Sequence, residues 1–151
     1  MIVCSGTKEM LAELFIDLSA RSSTPVIFID SARLLRTMSC DLDNICLTRP
    51  QSTHHLKSLV DTKLERMLQK TFSSLVVISS MSALLSFVHE SELPSVLDYV
   101  LEKLGRLSHA YDFVIMIGDT SEKPLISKRL RACADIHMDL STLKGNTPPV
   151  L

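Results

Sequence analysis

The sequence predicts an α/β domain: a mostly parallel sheet with helices on both faces. Three observations carry this. First, three short apolar runs do not alternate with polar residues: Val26–Ile29 (VIFI), Leu75–Ile78 (LVVI) and 113–117 (FVIMI). Such runs, bounded by polar residues, fit strands buried on both faces, as in the middle of a parallel sheet. Second, the segments between them place apolar residues at helical spacing. Strands separated by helices must cross over and lie parallel, with right-handed connections. Third, the chain is 46% hydrophobic, with no Trp and only 5% aromatic residues. That suits a helix-covered sheet better than a β-sandwich. A length of 151 residues implies one domain, divided into a core over 1–144 and a frayed tail over 145–151.

Each element follows from local pattern. Residues 1–4 (MIVC) are a first strand. Ser5, Gly6 and Thr7 form a turn, and Ser5 or Thr7 caps the next helix. Met10, Leu11, Leu14, Phe15 and Leu18 give that helix its apolar stripe, and Ser22, Ser23, Thr24 and Pro25 break it. Val26–Ile29 is the second strand, ending in Asp30. Residues 31–38 read as a short helix or an irregular segment. Residues 44–47 (NICL) are a weaker third strand, ended by Pro50. Ser52 or Thr53 then caps a long helix whose buried stripe is Leu56, Leu59, Val60, Leu64, Met67 and Leu68. The central strand lies at 74–79. Residues 81–87 are apolar without a clear period, and 89–92 (HESE) form a polar loop. Pro94 suits the first turn of a helix with Leu97, Val100, Leu101, Leu104 and Leu107 buried. The next strand, 113–117, is ended by Gly118 and Asp119. Pro124–Cys133 reads as a short basic helix or turn. Residues 134–140 (ADIHMDL) alternate as a half-exposed edge strand does.

Sixteen Lys and Arg nearly cancel 17 Asp and Glu, for a formal net charge of -1. A generally basic surface is excluded, so a nucleic-acid site must be a local patch. Cys4, Cys40, Cys46 and Cys133 show no C-x-x-C and no zinc spacing with histidine. They read as buried free thiols in a reducing compartment. No segment reaches ~18 unbroken apolar residues, and no basic start leads into an apolar core. The expected location is the cytosol or nucleus.

Four motifs offer chemistry. Ser5-Gly6-Thr7-Lys8 lies between the first strand and the first helix. A working phosphate loop there reads G-x-x-x-x-G-K-[ST]: its amides wrap the phosphates, its Lys reaches them and its hydroxyl binds Mg²⁺. Here the leading glycine is absent, the order is Gly-Thr-Lys, and the loop is too short to wrap a phosphate chain. The other reading is a tight turn with a solvated Lys8. Asp30 stands at the strand edge where ligands gather. It reads as a helix cap or as the base of an ATPase, although the position two further on is Ala32. An ATPase ends its central strand in an aspartate that holds Mg²⁺ or its water; here that position is Ser79, followed by Ser80. His54 and His55 are adjacent, point about 100° apart on a helix, and so cannot chelate one ion. Lys123, Lys128, Arg129 and Arg131 are a phosphate-contacting patch or a solvated helix face. Ser79, Ser80, Ser82 and the cysteines have no base at recognisable spacing.

These pieces resemble a known family. The run 43–50 (DNICLTRP), then Ser52, Thr53, His54, His55 and Leu56, is similar to a recombinase pattern in which a strand with Asn and Arg leads into a long helix. LVVISSMSALL (75–85) resembles that family's second nucleotide-binding strand and its "IDSATAL"-like continuation. PVIFIDSARLL (25–35) resembles its "YIDTEG"-like strand. The helix at 94–110 and the strand at 113–117 match the next helix and strand in order. The family is the eukaryotic RecA-type recombinases and their paralogues, and the likeness spans residues 1–140.

The resemblance implies a three-layer RecA-like core without room for an N-terminal helical domain or a filament-forming linker. It implies a phosphate loop eroded at Gly6, Thr7 and Lys8, with Ser79 for the metal-strand aspartate and Ala32 for the catalytic glutamate. The two DNA loops shrink to 87–93 and about 119–124. The chain is thus similar to the Walker-less paralogues of Shu-type complexes, which have a SWIM-domain partner. The implied function is a non-catalytic nuclear subunit that assists recombinase filaments on single-stranded DNA in homologous recombination repair. Its partners would be a second recombinase paralogue, a SWIM-domain protein and the recombinase filament, with no cofactor, metal or membrane. DNA contact is expected first at Lys123, Lys128, Arg129 and Arg131. Two alternatives stay open: a small ATP-binding enzyme using Lys8 and Asp30, and a Walker-less subunit of a ring-shaped tRNA-modification complex.

Overall fold

The expected α/β architecture is present in the computed structural model, which describes residues 1–36 and 44–145. Among the described residues the strands are β1 (Ile2–Ser5), β2 (Val26–Ile29), β3 (Ile45–Thr48), β4 (Leu75–Ile78), β5 (Val114–Asp119) and β6 (Ile136–Asp139). They form one sheet in the order β3-β2-β4-β5-β1-β6, and every pairing is parallel. The helices are α1 (Lys8–Arg21), α2 (Thr53–Ser58), α3 (Leu64–Thr71), α4 (Met81–Leu84), α5 (Leu93–Ala110), α6 (Pro124–Cys133) and α7 (Leu140–Gly145).

Chain direction decides which face each helix covers. From β1 to β2, and from β2 to β3, the chain moves toward the β3 edge. Its three later crossovers move the other way. With one handedness throughout, the first two connections fall on one face and the last three on the other. Burial agrees. Cys4, Val26, Phe28, Val77 and Met116 pack with α1 and the 3₁₀ turn Leu34–Arg36. Val3, Ile27, Ile29, Val76, Ile78, Ile115 and Ile117 pack with residues of α2, α3, α5 and α6. This arrangement is consistent with a three-layer RecA-like core.

The two faces are not equally covered. Six strands span about 24 Å at their usual spacing. Among the described residues the α1 face carries α1, about 10 Å wide, the 3₁₀ turn and the start of α7, whose Leu140 packs against the α1 cluster. On the α1 side, Leu47, Val114 and Ile136 remain 41%, 45% and 53% exposed. Their register partners Phe28, Leu75 and Ile2 belong to the α1 cluster, which fixes the face they share.

Local chemistry sets the boundaries. Thr7, not Ser5, caps α1: its Oγ1 accepts from the Met10 amide at 3.2 Å. Ser52, not Thr53, caps α2 by accepting from the His55 amide at 3.1 Å. The long helix is interrupted by a π-helical turn, Leu59–Lys63. Beside it, Asp61 accepts from the Tyr99 hydroxyl and pairs with Lys103 Nζ at 3.6 Å. The ambiguous 81–87 stretch resolves into the short α4, with Ser80 Oγ accepting from the Ala83 amide at 3.2 Å. Pro124–Cys133 is a helix, and β6 is an edge strand as expected, although more exposed than the half-exposed alternation implied. The 31–38 segment yields the 3₁₀ turn; residues 37–38, Cys40, and the proposed tail beyond residue 145 lie outside the described residues.

Gly118 was expected to end its strand; instead β5 runs on through Asp119. A Cβ on Gly118 would lie 2.1 Å from the Ser79 carbonyl oxygen. The close approach of β4 and β5 therefore requires glycine there. Gly118→Ala is expected to cost about 3 kcal/mol of stability, because a backbone carbonyl must move. Gly105, inside α5, has nothing within 4 Å of its built Cβ, so Gly105→Ala should gain about 0.5–1 kcal/mol from helix propensity. Urea unfolding of both variants measures the contrast.

Candidate functional site at the carboxyl edge of the sheet

In open parallel sheets a crevice forms at the carboxyl ends of neighbouring strands whose connections leave toward opposite faces. That occurs between β1 and β5, and again between β2 and β4. Most sequence motifs fall at these two places.

At the β1/β5 crevice, Ser5, Gly6, Thr7, Thr120, Arg131 and Asp139 help line a cavity of about 300 Å³. The Gly6-Thr7-Lys8 turn is therefore beside a cavity, but its groups serve the fold. The Gly6 amide donates to the Asp119 carbonyl at 3.2 Å, Thr7 caps α1, and Lys8 is exposed. At the end of β4, Ser79 is fully buried, and its Oγ accepts from the Ala32 amide at 3.0 Å. That bond braces the segment after β2 against the end of β4.

Sequence reasoning missed two features here. Asp119 is 1% exposed. Its Oδ1 accepts from the Ser121 amide at 2.9 Å and from Ser127 Oγ at 3.0 Å, while Oδ2 is buried without a partner. The available signal was an acidic residue directly after an apolar strand. The second feature is Ser5 Oγ, 2.7 Å from His137 Nε2. Only the pairing of β1 with β6 brings these residues together. Among the described residues no carboxylate bonds the other ring nitrogen, so the pair lacks the orienting group of a nucleophilic triad.

The four-cation patch divides. Lys128 and Arg131 line a second cavity of about 390 Å³ with Ser121, Pro124 and Ser127, and Arg131 borders the first cavity as well. Arg129 is instead ion-paired with Asp98 of α5. Lys123 is the N-cap residue of α6 and lines neither cavity.

At the β2/β4 crevice, Asp30 is fully buried. It accepts from the Leu34 amide at 2.7 Å, the Leu35 amide at 3.2 Å and Arg49 Nη2 at 3.0 Å. Asp30 is therefore a cap with an ion-pair partner. His54 and His55 are exposed, with ring centroids 6.3 Å apart. Among the described residues no group of three or more His, Cys, Asp or Glu side chains could hold a metal ion, and no helix is long and apolar enough to cross a membrane.

The cysteines correct one expectation. Cys4 is buried, and desolvation pushes its thiol up to about 11, which keeps it protonated and unreactive at neutral pH. Cys46 is half-buried and Cys133 is exposed at the end of α6, because that turn of helix faces solvent.

No protein-family model matches the chain, and a search of curated proteins found no match. Removing the buried Asp30 carboxylate leaves Arg49 and two amides uncompensated. Asp30→Ala is expected to cost about 3 kcal/mol, read as a lowered midpoint in urea unfolding.

Proposed function

We propose that this protein is a non-catalytic, RecA-like recombinase paralogue. It acts within a complex to assist recombinase filaments on single-stranded DNA in homologous recombination repair, in the nucleus. The observation that carries this reading is the state of the sheet's carboxyl edge after β1 and after β4. The Gly6 amide and the Ser79 hydroxyl, which the resemblance aligns with an ATPase's phosphate loop and metal-strand end, are both taken up by hydrogen bonds of the fold. The crossover order and the resemblance of its strands support a recombinase ancestry.

The α1 face supports a partner. Leu47, Val114 and Ile136 spread exposed apolar surface across it, and a second recombinase paralogue or a SWIM-domain protein is the proposed neighbour. Lys128 and Arg131 are the DNA contacts of the complex, since they share a cavity and Arg129 is engaged with Asp98. This narrows the four-residue patch to two.

Two outcomes test the reading. Lys128→Glu with Arg131→Glu should weaken single-stranded DNA binding by the purified complex. The salt slope should fall by about one for each phosphate that is no longer neutralised, with assembly unchanged by size-exclusion chromatography. Unchanged DNA affinity at low salt removes these residues from the interface. Any Mg²⁺–ATP binding by the isolated chain in a fluorescent-nucleotide titration should be unchanged in Lys8→Ala. Saturable binding abolished by Lys8→Ala would favour the ATP-binding alternative.

A further inference from the structure

The β2/β4 crevice holds a cavity of about 270 Å³. Asp30, Arg33, Arg49, Gln51, Ser86 and Phe87 are among its lining residues. Its size is near the lower end for small-molecule sites, room for one compact ligand.

Its charge and donors point to an anion. Asp30 is the one carboxylate in the lining, and its oxygens already accept from two amides and Arg49. The Arg33 charge is left over, because among the described residues no carboxylate pairs with it. Arg49 Nε is buried with no acceptor among the described residues, and a buried donor left unmade is costly. Asp30 also holds Arg49 in place through its Nη2 bond, which pre-sets one guanidinium. Planar guanidinium groups match the oxygens of a phosphate.

The backbone adds an independent reason. Arg33 has φ 57, the left-handed region that glycine and asparagine occupy most easily. Arginine at that cost fits a demand on its side chain, and strained positions of this kind cluster at ligand sites. Phe87 is half-buried on the cavity wall and offers a flat apolar surface for a ring to stack against.

We propose that this cavity binds one nucleotide unit, with its phosphoryl group between Arg33 and Arg49 and its base against Phe87. The unit belongs either to a free nucleoside monophosphate or to a nucleic-acid strand. The site does not depend on the recombinase reading, and Lys128 and Arg131 do not line it.

Isothermal titration at low salt with adenosine monophosphate, inorganic phosphate and a short oligothymidylate tests it. Adenosine monophosphate should bind more tightly than phosphate. Arg33→Gly should weaken it about tenfold or more while leaving the fold as stable or more so, since glycine suits φ 57. Phe87→Ala should weaken the nucleotide and leave phosphate unchanged, and it serves equally if Arg33→Gly fails to fold. Lys128→Glu should change nothing, which separates this site from the proposed DNA patch. Oligothymidylate binding far tighter than the monomer, and lost in Arg33→Gly, assigns the site to a strand; equal affinities assign it to a free nucleotide. Absence of saturable binding by the intact protein, or affinity unaltered in both Arg33→Gly and Phe87→Ala, overturns the proposal.

Discussion

The structure depends on a single geometric constraint: every crossover between parallel strands turns with the same hand. Because the chain first moves toward the β3 edge and then returns, its helices sort onto two faces. The same reversal opens the crevices at β1/β5 and β2/β4. Reordering the strands would relocate both crevices without changing any side chain. The close contact between Gly118 and the Ser79 carbonyl locks the middle of this order, since β4 and β5 are neighbours there.

An uneven distribution of layers follows. The face served by three later crossovers has a deep core running from Leu56 to Leu130. The other face depends mainly on α1, where Leu11, Ala12 and Phe15 are buried. Phe15 and Phe28 meet there edge to face at 6.5 Å, a favourable aromatic geometry. Beyond the reach of α1, apolar strand residues stay exposed. Association that covers them would gain hydrophobic free energy in proportion to the area removed from water.

The two crevices differ in chemistry. Around β1 and β5 backbone and side-chain groups act as struts: the Gly6 amide is bonded to the neighbouring strand and Thr7 caps α1. Around β2 and β4 the buried Asp30 organises a cationic hollow. One carboxylate fixes a 3₁₀ turn and an arginine at once, leaving further guanidinium donors uncommitted. The expected basic patch on α6 is reduced for a related reason. At helical spacing, Arg129 points to α5 and meets Asp98, while Lys128 and Arg131 face the cavity.

Sequence alone determined the α/β class, the element order and the edge character of β6. These depend on short-range periodicity: unbroken apolar runs for β2, β4 and β5, alternation for β6, and stripes three and four residues apart for the helices. It also showed that Ser5-Gly6-Thr7-Lys8 lacks the G-x-x-x-x-G-K-[ST] spacing, because missing residue types are visible without coordinates. Tertiary structure alone decided the rest. The choice between Ser5 and Thr7 as cap required backbone angles, and the π-turn at Leu59–Lys63 has no distinct apolar period. Ser5 meets His137 only because β1 lies beside β6, and Arg49 reaches Asp30 only because β2 lies beside β3. Local pattern sets what each segment becomes; long-range strand order sets which side chains meet, and that order is a property of the packed chain.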